Sequence, residues 1–231
     1  PSRASVDELA KHLREQGAKI VSDPALLDSP GGGYGVRFFD NDGRTLEVAA
    51  DVKERTNIGS AILRGIPVSL SHVVFFTPDV KATVAFYTQC LGFKVSDWLD
   101  DFMVFLRCNE KHHCIALMKG PASLNHVAFD VLDVDDMMRG MGRLLSAGGK
   151  LNWGPGRHTA GDNTFAYFVS PGGNVLEYTA ELETVDDATW KASVYPRSFE
   201  IIDQWGTSKI AGPVEHGVAV KDPGLWTPGS N

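Results

Sequence analysis

The chain writes one phrase twice. YGVRFFDNDGRTLEVAAD at 34–51 matches TFAYFVSPGGNVLEYTAE at 164–181 at a constant offset. Each reads as an apolar strand, a glycine-containing turn and a second strand bearing Leu-Glu. Upstream, VDELAKHLREQGAKI (6–20) parallels VDDMMRGMGRLLSAGGKL (134–151), both amphipathic helices with aspartate in the first turn and glycine at the close. A fainter echo lies within the later region. SHVVFFTPDVKATVAFYTQCLGFKVS (71–96) and NHVAFDVLDVDDMMRGMGRLLSAGGKL (125–151) both run strand, loop, helix, strand. DFMVFLR (101–107) and HCIALM (113–118) add two more strands by their alternating, β-branched and aromatic content.

The repeated unit is therefore β-α-β-β-β. It is complete at 68–119 and 124–181, and 1–52 reads as a third copy without its first strand. The predicted class is α+β, built of paired βαβββ units. Residues 1–66 are expected to form a partial module plus a polar connector, and 67–182 a complete module of two units. Residues 183–231 are expected to form a tail packed on that module through Trp190, Tyr195, Phe199 and Trp205. Paired repeats would place a partner unit and a strand ahead of Pro1. A partial module leaves a sheet edge for another chain to cover, so a homo-oligomer is expected.

A formal charge of −7 argues against a nucleic-acid or anionic-membrane surface, and no apolar run reaches bilayer-spanning length. Cys90, Cys108 and Cys114, an odd set without a CxxC, are read as reduced thiols, each a small buried hydrophobe, in a cytoplasmic protein.

His72 in SLSHVVFFT and His126 in SLNHVAFDV hold equivalent places in the first strands of the two complete units. Glu177 lies on the last strand of the second, in NVLEYTA, where alternation puts Val175, Glu177 and Thr179 on one face. A carboxylate on a half-buried strand is costly unless it is paired or bound to a cation. Two imidazoles and one carboxylate suit non-haem Fe(II). Mn(II) fits the same set, and Zn(II) also accepts it. Glu47 occupies the matching phrase without partner histidines and is read as a vestige.

The segments SHVVF, NEKHHCIAL, LNHVAFDV, WGPGRHTAGDNTFAYFVSPGGNVLEYTAE and a later WG resemble the type I extradiol ring-cleavage dioxygenases of the vicinal oxygen chelate superfamily. The resemblance covers about 67–182, with 1–52 as the rear of a silent first module. It implies Fe(II) held by His72, His126 and Glu177, and His113 as the acid–base residue. His158 and Tyr167 would hydrogen-bond the bound catecholate, with Tyr167 ten positions before the glutamate as the family pattern requires. The family's strands curl into an open barrel around that metal. Apart from the resemblance, Trp153, Arg157 and the tail aromatics are candidates for lining the far side of the ring. Some relatives continue GRH with Asn and then Asp-His, where this chain has TAGDN, so the substrate rim departs from that pattern. His112 is expected to be a surface neighbour of His113.

The chemistry agrees with these roles. A catechol must lose protons to chelate a metal, and histidine titrates nearest neutrality. Phenol and imidazole donors can meet oxyanion charge. The expected reaction is dioxygen-dependent cleavage of a catechol ring beside its vicinal hydroxyls. The alternatives are a glyoxalase-like lyase or isomerase using Zn, Ni or Co without dioxygen, and an aromatic-ligand-binding protein of the same fold. Retention of all three ligands counts against the last.

Overall fold

Ser2 starts the first helix. Its hydroxyl accepts from the Ser5 backbone N–H while the Ser5 side chain accepts from the Ser2 backbone N–H, a reciprocal cap that opens α1 (Arg3–Glu15). The helix thus begins earlier than its apolar spacing predicts, and its first turn carries no acidic residue. The computed structural model describes residues 2–54 and 64–208. Most of the predicted connector and residues 209–231 of the expected tail lie outside the described residues.

The described residues fall into two units. The first comprises 2–54 with 81–92, and the second 64–80 with 93–208. In the first, β1 (Ile20–Leu26), β2 (Tyr34–Phe39) and β3 (Thr45–Ala50) form an antiparallel sheet in chain order. Val6, Ala10 and Leu13, spaced along one face of α1, pack on Val36, Phe38 and Ala50. α2 (Val80–Leu91) closes the same core through Phe86, Cys90 and Leu91.

The second unit is a nine-stranded mixed sheet. It contains β4 (Ser69–Thr77), β5 (Lys94–Leu99), β6 (Met103–Arg107), β7 (Ile115–Lys119) and β8 (Ser123–Asp130). After α3 (Val134–Ser146) come β9 (Leu151–Arg157), β10 (Thr164–Val169), β11 (Val175–Ala180) and β12 (Ser193–Tyr195). The strand order is β12-β5-β6-β7-β4-β8-β11-β10-β9. Within each repeat the first strand pairs in parallel with the last, β4 with β7 and β8 with β11. The two repeats then join through the antiparallel pair β4–β8. This is the α+β arrangement of paired βαβββ units expected of the sequence.

The tail adds to the second unit. β12 pairs in parallel with β5, and the Trp190 indole N–H donates to the Ser96 carbonyl at 2.8 Å. Tyr195 packs with Ile201 and Ile202 of the short α4 (Phe199–Ile202) against Val74, Met103 and Phe105. Trp205 stays 44% exposed and carries the Arg157 guanidinium over its ring. Cys108 is exposed, not the small buried hydrophobe expected. No helix among the described residues is long and apolar enough to cross a membrane.

α3 is capped by Asp133, whose carboxylate accepts from the Asp136 N–H at 2.7 Å. The helix packs by Met137, Met141 and Leu144 over Ala166, Phe168 and Tyr178. A Cβ on Gly140 would meet the Tyr178 ring at 2.7 Å and the Gly65 carbonyl at 2.8 Å, whereas one on Gly142 would meet nothing within 4 Å. Alanine in a helix interior gains about 1 kcal/mol over glycine, and overpacking costs about 1–3 kcal/mol. Gly142→Ala is therefore expected to raise the urea midpoint and Gly140→Ala to lower it. Shifts of the same sign in both variants would refute this packing account.

Candidate metal centre

Ala128 sits at the crossing of two ladders. On one side it pairs with His72 of β4, and on the other with Glu177 of β11. Residues paired across a ladder share a face, and so do residues two apart along a strand. His72, Glu177 and His126 are thereby set on one face around a methyl group that leaves room between them.

The three side chains are buried, and their ligand atoms lie within 4.8 Å of one another. His72 Nε2 and His126 Nε2 stand 3.2 and 3.0 Å from the same Glu177 Oε2. Even so, His126 Nε2 and Glu177 Oε2 have no hydrogen-bond partner. Orphaned buried polar atoms cost about 1–3 kcal/mol each, and a divalent cation bound among the three would remove that cost. Burial raises the Glu177 carboxyl, but the adjacent His72 and His126 outweigh it and hold the group well below the usual carboxylate range. Burial lowers His126, keeping its imidazole neutral. Its Nδ1 meets the Asn125 Oδ1, an acceptor, so Nδ1 carries the proton and the Nε2 lone pair remains for a metal. Asn163 Nδ2 donates to Thr179 Oγ1 at 2.9 Å and lies 3.4 Å from Glu177 Oε1, steadying the carboxylate. The donor set fits a divalent metal.

A second layer of side chains surrounds the triad. His113 is buried with its ring centroid 4.3 Å from that of His72, and burial holds it well below the usual histidine range, aided by the neighbouring His72 and His112. His112 is fully buried, which corrects its expected surface position. Its Nε2 lies 2.8 Å from Asp97 Oδ2 and its Nδ1 3.0 Å from His113 Nδ1. The tail encloses it: the His112 N–H donates to the Glu183 carbonyl, and the Trp190 ring meets it edge-on at 5.5 Å.

On the opposite flank Tyr167 pairs directly with Glu177 across β10 and β11. Burial, then the Glu177 charge, raises its phenol well above the usual value, so it stays protonated. The Tyr167 hydroxyl lies 3.2 Å from His158 Nε2, and His158 Nδ1 donates to the Ile202 carbonyl at 2.6 Å. Phe165 stacks on His158 at 4.1 Å, and Trp153 on Tyr167 at 5.2 Å. Arg157 is engaged within the chain by Glu181, the Asp162 carbonyl and the Trp205 ring. Glu47, the other Leu-Glu glutamate, is paired with Arg37 at 2.7 Å.

Sequence reading missed His112, Asp97 and Asn163. Alternation in KVSDWL sets Asp97 on one face with Val95 and Leu99, as it sets Glu177 with Val175, and that was the available clue to Asp97.

Two variants test the centre by metal content per chain after dialysis. Glu177→Ala is expected to lose tight retention by removing a ligand. Ala128→Leu is expected to lose it with all ligands intact, because its side chain fills the space between them. Full metal in either variant would break the assignment. In the wild type, saturation at 100 times Kd should stabilise the fold by about 2.7 kcal/mol, read as a melting shift on chelation.

Residues 69–178 match the family described as the Glyoxalase/Bleomycin resistance protein/Dioxygenase superfamily. The chain is 32% identical over 220 residues to Metapyrocatechase 2 of Cupriavidus necator, covering 86% of this chain and 67% of that protein. It is 31% identical over 200 residues to a biphenyl-2,3-diol 1,2-dioxygenase of Paraburkholderia xenovorans, covering 79% and 67%. The chain thus spans about two thirds of the length of these relatives. Among solved structures, a Mn(II)-bound glyoxalase from Novosphingobium aromaticivorans superposes with a TM-score of 0.88 at 50% identity, over 99% of this chain and 75% of that one. With the repeated βαβββ frame and its buried His-His-Glu triad, these likenesses mean that the chain belongs to the extradiol dioxygenase family of the glyoxalase/bleomycin resistance protein/dioxygenase superfamily.

Proposed function

We propose that this protein cleaves a catechol-type ring beside its vicinal hydroxyls with dioxygen, using Fe(II) or Mn(II) held by His72, His126 and Glu177. The observation that carries the reading is the buried chain Asp97–His112–His113 running up to the triad. A metal held by these three residues would supply the one-electron chemistry that triplet dioxygen requires.

The protein's own part follows from its hydrogen bonds. Asp97, as a carboxylate, only accepts, so His112 donates through Nε2 and its Nδ1 keeps a lone pair. That lone pair accepts from His113 Nδ1, which leaves His113 Nε2 unprotonated. With its proton affinity lowered by burial, His113 is a neutral base at physiological pH, ready to take a catechol proton and later return it. Tyr167, a protonated phenol, can turn its O–H from His158 to an anionic ring oxygen. His158, anchored at Nδ1, then gains a donor of its own if Nε2 takes a proton. Trp153, stacked on Tyr167, would bound the substrate on this flank, while Arg157 would act by holding β9 to Glu181.

The 50% identity to a Mn(II)-bound glyoxalase favours one second reading, a lyase or isomerase on the same cup. Dioxygen separates the two. Reconstitution with Fe(II) or Mn(II) under anaerobic conditions, followed by air and a panel of substituted catechols, is expected to give oxygen uptake matched by the yellow absorbance of ring-opened product. Metal retained without oxygen uptake on any catechol would transfer the assignment to the second reading. His113→Ala is expected to keep its metal and lose about 100-fold or more in kcat. Asp97→Asn, which can reverse the donor pattern along the chain, is expected to lower kcat with KM little changed. An unimpaired His113→Ala enzyme would remove the acid–base role.

A further inference from the structure

Two of the three cysteines meet at the mouth of the loop that carries His112 and His113. Cys108 directly follows β6 and Cys114 directly precedes β7, and their sulfurs lie 3.3 Å apart. The backbone between them is pinned from both sides. The Cys114 N–H donates to the Leu106 carbonyl at 2.9 Å, the Val185 N–H to the Glu110 carbonyl at 2.7 Å and the His112 N–H to the Glu183 carbonyl at 2.8 Å. The sulfurs therefore face each other across a held loop. A disulfide requires about 2.05 Å between sulfurs, so closure needs a movement on the order of 1 Å.

We propose that Cys108 and Cys114 form a reversible dithiol–disulfide couple, oxidised by hydroperoxides, which closes the ring 108–114 around the two histidines. Cys108 is exposed and Cys114 partly buried, which assigns the order of events. Burial, followed by the bond to Cys108, pushes the Cys114 thiol up to about 12, which keeps Cys114 a thiol and leaves the first reaction with the oxidant to the exposed Cys108. Cys108 attacks one peroxide oxygen and the O–O bond breaks, giving a sulfenic acid and one water from hydrogen peroxide. The Cys114 sulfur then attacks the Cys108 sulfur, and the displaced hydroxyl leaves with the Cys114 proton as a second water. Two thiols lose two electrons in all and the peroxide gains them. Cys90, buried in the core of the first unit, takes no part. The couple does not depend on the extradiol reading.

Trypsin makes the test direct, because cleavage after Arg107, Lys111 and Lys119 puts Cys108 and Cys114 on separate peptides. The full chain is treated with stoichiometric hydrogen peroxide, alkylated, digested and mass-analysed. The expected product is 108–111 linked to 112–119, separated again by dithiothreitol, with Cys90 alkylated throughout. In Cys114→Ser the reaction should stop at the sulfenic acid, trapped by dimedone on Cys108 far more than in the wild type. Cys108 found as sulfinic or sulfonic acid beside a freely alkylated Cys114 would overturn the proposal. So would two cysteines left reduced, or a Cys114→Ser chain that dimedone does not label.

Discussion

The antiparallel pairing of β4 with β8 is the contact on which the rest of the second unit depends. It joins two copies of one motif at their first strands, and it is the step that brings a histidine from each copy to the same face. Neither copy could assemble the triad alone. Each first strand also pairs in parallel with its own last strand, so β11 delivers Glu177 beside β8 without any loop having to position it. All three ligands stand on the sheet, where backbone ladders hold them more tightly than a loop would.

This geometry sets a thermodynamic problem that the surrounding side chains address. An uncompensated ion in a low-dielectric interior costs several kcal/mol, and Glu177 is wholly buried. Asn163 partly steadies the carboxylate, and the two imidazoles bring their dipoles to it, but the central lone pairs still meet no proton. On the other flank Asp97 is almost as buried and is fully used, by His112 Nε2 and by the Ser193 N–H at 2.6 Å. One carboxylate is satisfied by protein donors and the other is left with capacity. That difference separates a residue that orients from a residue that binds.

Much of this was readable from the chain because repetition and alternation are local signals. The element order of the repeats, the strand positions of His72, His126 and Glu177, and the helix Val134–Ser146 follow from spacing alone. What could not be read came from distant chain. Two adjacent residues are ordinarily expected to point to opposite sides, so placing His113 inside put His112 outside. The tail reverses this by laying Glu183 and Trp190 over His112. Likewise, nothing in the pattern of α2 tells which sheet covers its apolar face, and its residues belong to the core of the first unit. The early start of α1 rests on a pair of serines that apolar spacing does not register.

The two Leu-Glu phrases show how small a change separates a structural carboxylate from a ligand. In the first unit Glu47 pairs across the ladder with Arg37, and in the second Glu177 pairs at the corresponding place with Tyr167. The sheet frame is the same in both. Arginine answers Glu47 with a permanent cation at 2.7 Å, and the pair remains partly solvated, so the carboxylate is already neutralised. Tyrosine cannot supply charge, whether its hydroxyl turns to His158 or to Glu177 itself. Glu177 is consequently left buried, anionic and facing two imidazoles, which is the electrostatic condition a divalent cation answers. The cross-strand neighbour, as much as the glutamate itself, decides which copy of the motif can hold a metal.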